Sequence, residues 1–451
     1  MADRLNLYNH YLGDPGYLAK DIDRYRKATP ASVKQFAEEQ LGATARVVVH
    51  GVPGTPDFGP EVPKPKPAKA PAGAEAINAD EPWRNQQPKA GPVKALALAA
   101  PQLFTLANGL TVILAERPAL PIVSASLVIR TGSDANPPDR PGLANFTAAM
   151  LDEGTATRSA LKLADDVAQL GATFTTSSSP DTIHVDAESL SKNFAATLDL
   201  MADVVLHPAF PPAEIERQRG QRLARLTEYR DDPTAVAATA TFAALYGARH
   251  PYGHLEIGTE ASVKATTRDD MAGFWKQNIV PNNAALVVAG DITKTDLQGL
   301  AEKAFGSWQR GTPARPSLPA PTMTGARIAI VDKPGAAQSE LRVATIAAAR
   351  STPDYPAIQV MNMALGGLFS SRINLNLREE HGYTYGAGTS FLFRRFPGPF
   401  FAWSAVQTAV TGPAVSEILK EIRRTLDGPL TPEELTLSKD AIVRSLPAMF
   451  E

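Results

Sequence analysis

Eleven prolines fall between Pro53 and Pro101, and lysine alternates with proline through Pro63-Lys64-Pro65-Lys66-Pro67. Proline fixes one backbone dihedral and removes an amide donor. Such a run favours extended, polyproline-like backbone and cannot bury a core. It predicts a linker over 53–100, with Trp83 as the point where it lies along a surface. The linker separates a short piece, 1–52, from a main body. In the short piece Asp14-Pro15 opens a helix through Tyr17, Leu18, Ile22 and Tyr25. Thr29-Pro30 caps a second helix over Ser32 to Leu41, and Val47-Val48-Val49 reads as a short strand. So small a piece rarely folds alone and is expected to dock on something.

The main body opens on a hairpin. Leu103 to Leu106 and Leu110 to Leu114 flank Asn108-Gly109, a type I′ turn signal. Strands are expected at 122–129, 172–178, 182–187 and 284–288. Helices are expected at 141–153, 158–170, 190–205, 212–230, 268–278 and 291–308. After a linker-like Gly311 to Pro321 the pattern restarts. Strands follow at 328–331, 341–346, 383–394 and 399–407, with helices at 354–365, 370–379, 413–426 and 431–446. Clustered strands and helices predict an α+β fold with helices packed on antiparallel or mixed sheets. The second unit stops after a helix with no closing strand.

Composition narrows the function. A length of 451 residues predicts two to four domains, and 44% hydrophobic residues are enough for sizeable cores. A net charge of −2 argues against a nucleic-acid binder. Zero cysteine excludes disulfides, thiolate catalysis and cysteine-ligated metal. No apolar run approaches the ~20 residues that span a bilayer, and the polar start lacks the apolar core of a signal peptide. A soluble globular chain is therefore expected, with no membrane span.

A series of short motifs carries more. They are Leu106-Ala107-Asn108-Gly109-Leu110, Pro141-Gly142-Leu143-Ala144, His250-Pro251-Tyr252-Gly253, Pro281-Asn282-Asn283 and Val288-Ala289-Gly290-Asp291. Gly366-Gly367-Leu368-Phe369-Ser370-Ser371-Arg372 and the run Leu377 to Tyr385 complete them. In order and spacing the chain resembles the pitrilysin/insulinase metallopeptidases, whose relatives include mitochondrial processing peptidase. The resemblance covers most of 103–451. It implies tandem processing-peptidase-like domains, each a mixed or antiparallel sheet with helices packed on one face. These are an inactive N-domain over 101–313 and a C-domain over 320–451, truncated.

That family's chemistry rests on an inverted zinc motif, H-x-x-E-H, on a helix. Two His at i and i+4 share one face and ligate the metal, and the Glu acts on metal-bound water as general base. Here Asn145 and Ala149 stand where the His belong, and Ala148 stands where the Glu belongs. The distant third ligand matches Arg225. A catalytic zinc needs about three protein ligands, so no metal and no cofactor is expected in this chain. What survives is Arg378 and Tyr385, matching the family's arginine/tyrosine pair. The resemblance implies that they hold the substrate backbone and donate hydrogen bonds to a carbonyl gaining negative charge. The plain alternative is that Arg378 pairs with Glu379, Glu380 or helix-end carbonyls and Tyr385 packs on the sheet.

Other candidates are weaker. His250 and His254 have ligand-like spacing, but Pro251 and Gly253 between them predict a loop. Gly366-Gly367 before Ser370-Ser371 reads either as helix punctuation or as a flexible lip beside a chamber. A serine hydrolase through Ser370 or Ser371 and His381 lacks an orienting third group. The arginines and acids of 214–230 read as a solvated or interdomain salt-bridge face.

The resemblance implies a non-catalytic half or subunit of a zinc peptidase. Its partner is a zinc-bearing half of the same family, forming a heterodimer-like clamshell around a peptide substrate. The alternative is a scaffold protein with no part in proteolysis. Residues 5–50 look like the ending that the C-domain lacks. This suggests a segment of a longer two-repeat protein, with 1–52 closing an upstream repeat, or else a permuted segment closing this chain's own second unit. Two-repeat relatives are often bacterial and exported, which implies the bacterial periplasm.

Overall fold

A computed structural model of the chain describes residues 2–42, 44, 46–52, 54, 83, 86, 91, 92, 96–314, 316, 318, 321 and 325–450. They fall into two compact units, Met1–Ala90 and Gly91–Glu451. The expected linker 53–100 lies outside the described residues save for 54, 83, 86, 91, 92 and 96–100.

Among its described residues the first unit holds three α-helices, Ala2–Leu12, Leu18–Lys27 and Pro30–Gln40, of which only the last two were expected. Thr29 and Ser32 form a reciprocal capping box at 3.1 and 3.0 Å, with Pro30 at the first helical position. Val47–Val49 is not a strand; Val47 is 90% and Val49 88% exposed. Its β-branched residues have the propensity, but this unit's described residues contain no second strand to bond with.

The described residues of the second unit form two sheets. The first is built from β1 (Gln102–Thr105), β2 (Thr111–Glu116), β3 (Ile122–Ile129), β4 (Thr173–Ser178), β5 (Ile183–Leu190) and β6 (Ala284–Gly290). Their order is β1-β2-β6-β3-β5-β4, with β2 and β6 parallel and every other pair antiparallel. The opening hairpin closes differently from the expected two-residue turn. Leu106 N–H donates to Leu110 O at 2.9 Å and Gly109 carries φ +89°, giving a three-residue loop with its glycine left-handed.

On β3, Val123, Ala125, Leu127 and Ile129 are buried while Ser124 and Ser126 face the other way, the period of a half-buried strand. Phe194, Leu198, Met201 and Val205 of helix Phe194–Leu206 cover the apolar face. Met271 of Arg268–Asn278 and Leu297 of Lys294–Phe305 join the same core. Each large side chain buried there contributes roughly 2 kcal/mol. Helix Pro233–Tyr246 was not foreseen, because its Ala-rich run has no apolar stripe. Its start is nevertheless written in Asp232-Pro233, where Asp232 accepts from Thr234 N–H at 2.8 Å.

The second sheet is antiparallel, in the order β7 (Gln338–Ile346), β9 (Pro399–Gln407), β8 (Ala387–Phe391). Helices Thr411–Asp427 and Pro432–Ser445 follow, and Ala414 and Ile418 pack with Leu341, Phe400 and Ala402. Two corrections apply here. Ile328–Val331 forms no strand, with Ile328 92% and Ile330 87% exposed. The strand expected over 383–394 shrinks to β8, leaving Tyr385 in the preceding loop. The helices expected at 354–365 and 370–379 both end in wide π-helical turns, Met363–Gly367 and Leu375–Glu380. Among the described residues no helix is long and apolar enough to cross a membrane.

Candidate functional site

The degenerate motif lies on the short helix Leu143–Ala149. Its entry corner needs two glycines. Gly142 has φ +90°, and a Cβ there would sit 2.6 Å from Ile257 O; one on Gly258, at φ +86°, would meet Pro141 O more closely still. Asn136 anchors the helix start by accepting from Ala144 N–H at 2.8 Å. Asn145 and Ala149 are one turn apart on one face, as metal ligands require, and Ala148 is buried. Asn145 Nδ2 donates to Ser178 Oγ on β4 at 3.0 Å.

Against this face lies the long helix Pro212–Asp231. Its contact with Asn145 comes from Arg222, not Arg225. Arg222 Nη1 donates to Asn145 Oδ1 at 2.7 Å and Nη2 to Asn145 O at 3.0 Å. The guanidinium lies over the Phe146 ring, 4.5 Å from its centroid. Arg225 is exposed, makes no bond to Asn145 and pairs with Glu228 at 3.0 Å. The other arginines of this helix are paired too: Arg217 with Glu153 and Glu214, Arg219 with Glu216, Arg230 with Glu260.

Arg222 differs. It is 7% exposed, its Nε is buried without a partner, and no carboxylate pairs with it. Burial alone pulls its pKa down to about 10. The sequence signal was available: Arg222 has no acid three or four residues away, whereas Arg217, Arg219 and Arg225 each have one.

These residues do not fit a zinc ion. Two of the positions are alanine, one is an amide, and the nearest charge is a cation. Among the described residues no group of three His, Asp or Glu side chains is placed to hold a metal.

Arg378 and Tyr385 do come together in the C-terminal part. Arg378 Nη1 donates to Tyr385 O at 2.9 Å, and its guanidinium lies 4.6 Å from the Phe369 ring centroid. Arg378 also pairs with Glu379 at 3.1 Å, so that part of the plain alternative is present. Tyr385 is 89% exposed and does not pack on the sheet.

With this geometry, the chain compares with known proteins as follows. The family model described as "Insulinase (Peptidase family M16)" matches residues 111–255, and "Peptidase M16 inactive domain" matches 265–442. The chain belongs to peptidase family M16. It is 28% identical over 285 residues to an uncharacterized zinc protease of Mycobacterium leprae, 62% of this chain and 63% of that protein's length. An uncharacterized zinc protease of Bacillus subtilis is 25% identical over 346 residues, 76% of this chain and 83% of its own. The crystal structure of a peptidase M16 inactive domain from Pseudomonas fluorescens superposes with a TM-score of 0.73 at 27% identity. That superposition covers 77% of this chain and 84% of the other. This M16 chain thus keeps the insulinase-type fold without the H-x-x-E-H motif.

The remaining candidates in this M16 chain resolve into local structure. His250 accepts from Tyr252 N–H at 3.0 Å, while His254 bonds Ala248 O at 2.7 Å, with a 3-10 turn between them. Gly366 is a packing glycine: a Cβ would collide with the Thr389 backbone. Its φ is not positive, so it is not a left-handed helix stop, and Ser371 makes no side-chain capping bond. Ser371 Oγ is buried without a partner. His381 stacks on Tyr383, 4.9 Å between centroids, and approaches Glu417 at 3.8 Å rather than either serine.

Proposed function

We propose that this chain is the non-catalytic half of an M16 zinc peptidase. It closes as a clamshell on a zinc-bearing half and holds peptide substrate through Arg378 and Tyr385. The observation that carries this reading is the Arg378–Tyr385 pairing: the guanidinium is fixed on the Tyr385 carbonyl while Tyr385 as a whole stays 89% exposed. A fixed guanidinium with donors to spare and a free phenol suit a peptide carbonyl that gains charge. The metal and the general base belong to the partner in this reading.

The test is complementation. This chain alone should cleave no peptide, and adding a zinc-bearing M16 half should restore cleavage. In the restored pair Arg378→Ala should lower kcat/KM at least tenfold, the scale of losing one transition-state donor, with little change in melting temperature. Wild-type cleavage by the Arg378→Ala pair would remove Arg378 from the mechanism. No cleavage by the complemented wild type would favour a scaffold role.

A further inference from the structure

The face that lost its metal ligands opens on a groove of about 940 Å³. Its wall includes Asn145, Ser178, Gln221 and Arg222. Neither Arg378 nor Tyr385 lines it. A buried guanidinium without a counter-ion is costly and uncommon, because a charge taken from water needs a partner. Arg222 is nine-tenths buried, yet its bonds go only to the neutral amide and carbonyl of Asn145. Those bonds occupy one N–H on each terminal nitrogen. The fork orientation is thereby fixed, and a second N–H remains on each.

The missing partner is an anion, and the groove's other charges say which kind. Arg225 is already held by Glu228, and Asp232 caps the following helix. Glu228, Asp232 and Glu256 all line the same groove. With Glu228 spent on Arg225, the carboxylates of Asp232 and Glu256 beside one unpaired cation repel a polyanion and leave room for a single negative charge. The planar edge not used on Asn145, Nε–H beside one terminal N–H, matches a carboxylate better than a spherical ion.

We propose that this groove is a carboxylate-reading subsite, in which Arg222, oriented by Asn145, pairs with one carboxylate of an extended peptide. This rests on the reading of the chain as a peptide-binding half. The carboxylate is either a peptide's C-terminus or a Glu or Asp side chain; the chemistry is shared, and the experiment separates them.

Binding is measured on the full chain by fluorescence anisotropy with four labelled peptides of one sequence: free acid with an internal Glu, its C-terminal amide, the Glu→Gln free acid, and the Glu→Gln amide. Loss of the carboxylate that is read should weaken binding about tenfold or more, the scale of one charge-assisted contact. The peptide that shows the loss identifies the source.

Arg222→Gln should bind all four peptides alike. Asn145→Asp supplies the counter-ion from within, so it should abolish the discrimination while raising the melting temperature. That second variant keeps the test valid if Arg222→Gln folds poorly. Equal binding of all four by the wild type overturns the inference. So does wild-type discrimination in Asn145→Asp. Where all four bind equally and Arg378→Ala weakens them together, the peptide-binding reading stands without this subsite. Where none binds, both fall.

Discussion

At the residue scale, the lost zinc motif has been refilled with a cation. Arg222 lies against Asn145, the position of the first lost ligand, and its positive charge opposes any metal there. Restoring Asn145→His, Ala148→Glu and Ala149→His together should therefore leave zinc substoichiometric by atomic absorption. Adding Arg222→Glu should raise zinc to about one per chain, because three protein ligands then converge. Adding Arg225→Glu instead should not. If it does, Arg225 is the ligand position. The substitutions at 145, 148 and 149 were legible because they interrupt a local motif. The role of Arg222 was not, because its partner lies 77 residues away and only the packing of two helices brings them together.

At the scale of elements, the helical turn Arg372–Asn374 is tied to the last helix by an ion pair. Arg372 reaches both oxygens of Glu434 at 2.6 Å, and Glu434 also caps Thr431 N–H at 2.8 Å. The guanidinium holds Glu434 down to about 2 from a usual 4.5. A depressed carboxyl stabilises the fold above its unfolded pKa and loses that contribution as pH falls through the folded value. The contribution should be about 2–3 kcal/mol at neutral pH. It should fade between pH 4.5 and about 2. Glu434→Gln should lower the neutral-pH melting temperature and flatten the acid limb of urea-unfolding stability against pH. An unchanged acid limb would show that the pair is not the acid-sensitive tie. Element type was legible wherever a period ran long, as at β3, where the expected and observed limits coincide at 122–129. It failed at Val47–Val49 and Ile328–Val331, because β propensity makes a strand only where a neighbour supplies the hydrogen bonds.

At the scale of the second unit, the loop between β8 and β9 joins the two sheets. Arg395 donates to Asp134 at 2.6 Å and to Arg130 O at 2.8 Å, and its backbone N–H donates to Asp181 at 2.7 Å. Arg394 is buried over the Tyr252 ring, 4.5 Å from its centroid, and Tyr246 donates to Pro397 O at 3.0 Å. Burial pushes Asp134 up to about 6 even with Arg395 beside it. A raised carboxyl favours the folded state fully below its unfolded pKa and ceases to do so as pH rises through the folded value. Arg395→Ala removes the opposing charge and raises Asp134 further. At pH 8 the variant strands a buried carboxylate; at pH 5 that carboxyl is protonated and strands nothing. The loss of stability should be about 2–4 kcal/mol at pH 8, reduced from the fully buried case because the Arg395 side chain is 37% exposed. It should be smaller at pH 5. Equal losses at both values would show that Asp134 is not the group being neutralised.

By itself the sequence determined the α+β class, the M16 likeness and the loss of the metal motif. Each rests on residues close together in the chain: periodic strands, the Gly142 corner, and alanines in place of ligands. It also marked Arg378 and Tyr385, seven positions apart, as a pair. Only the tertiary structure decided which arginine meets Asn145, that this arginine is buried without a counter-ion, and which loop fastens one sheet to the other. Those outcomes depend on partners far away in sequence, and burial, the quantity that sets the energy of a charge, exists only once distant segments have packed around it.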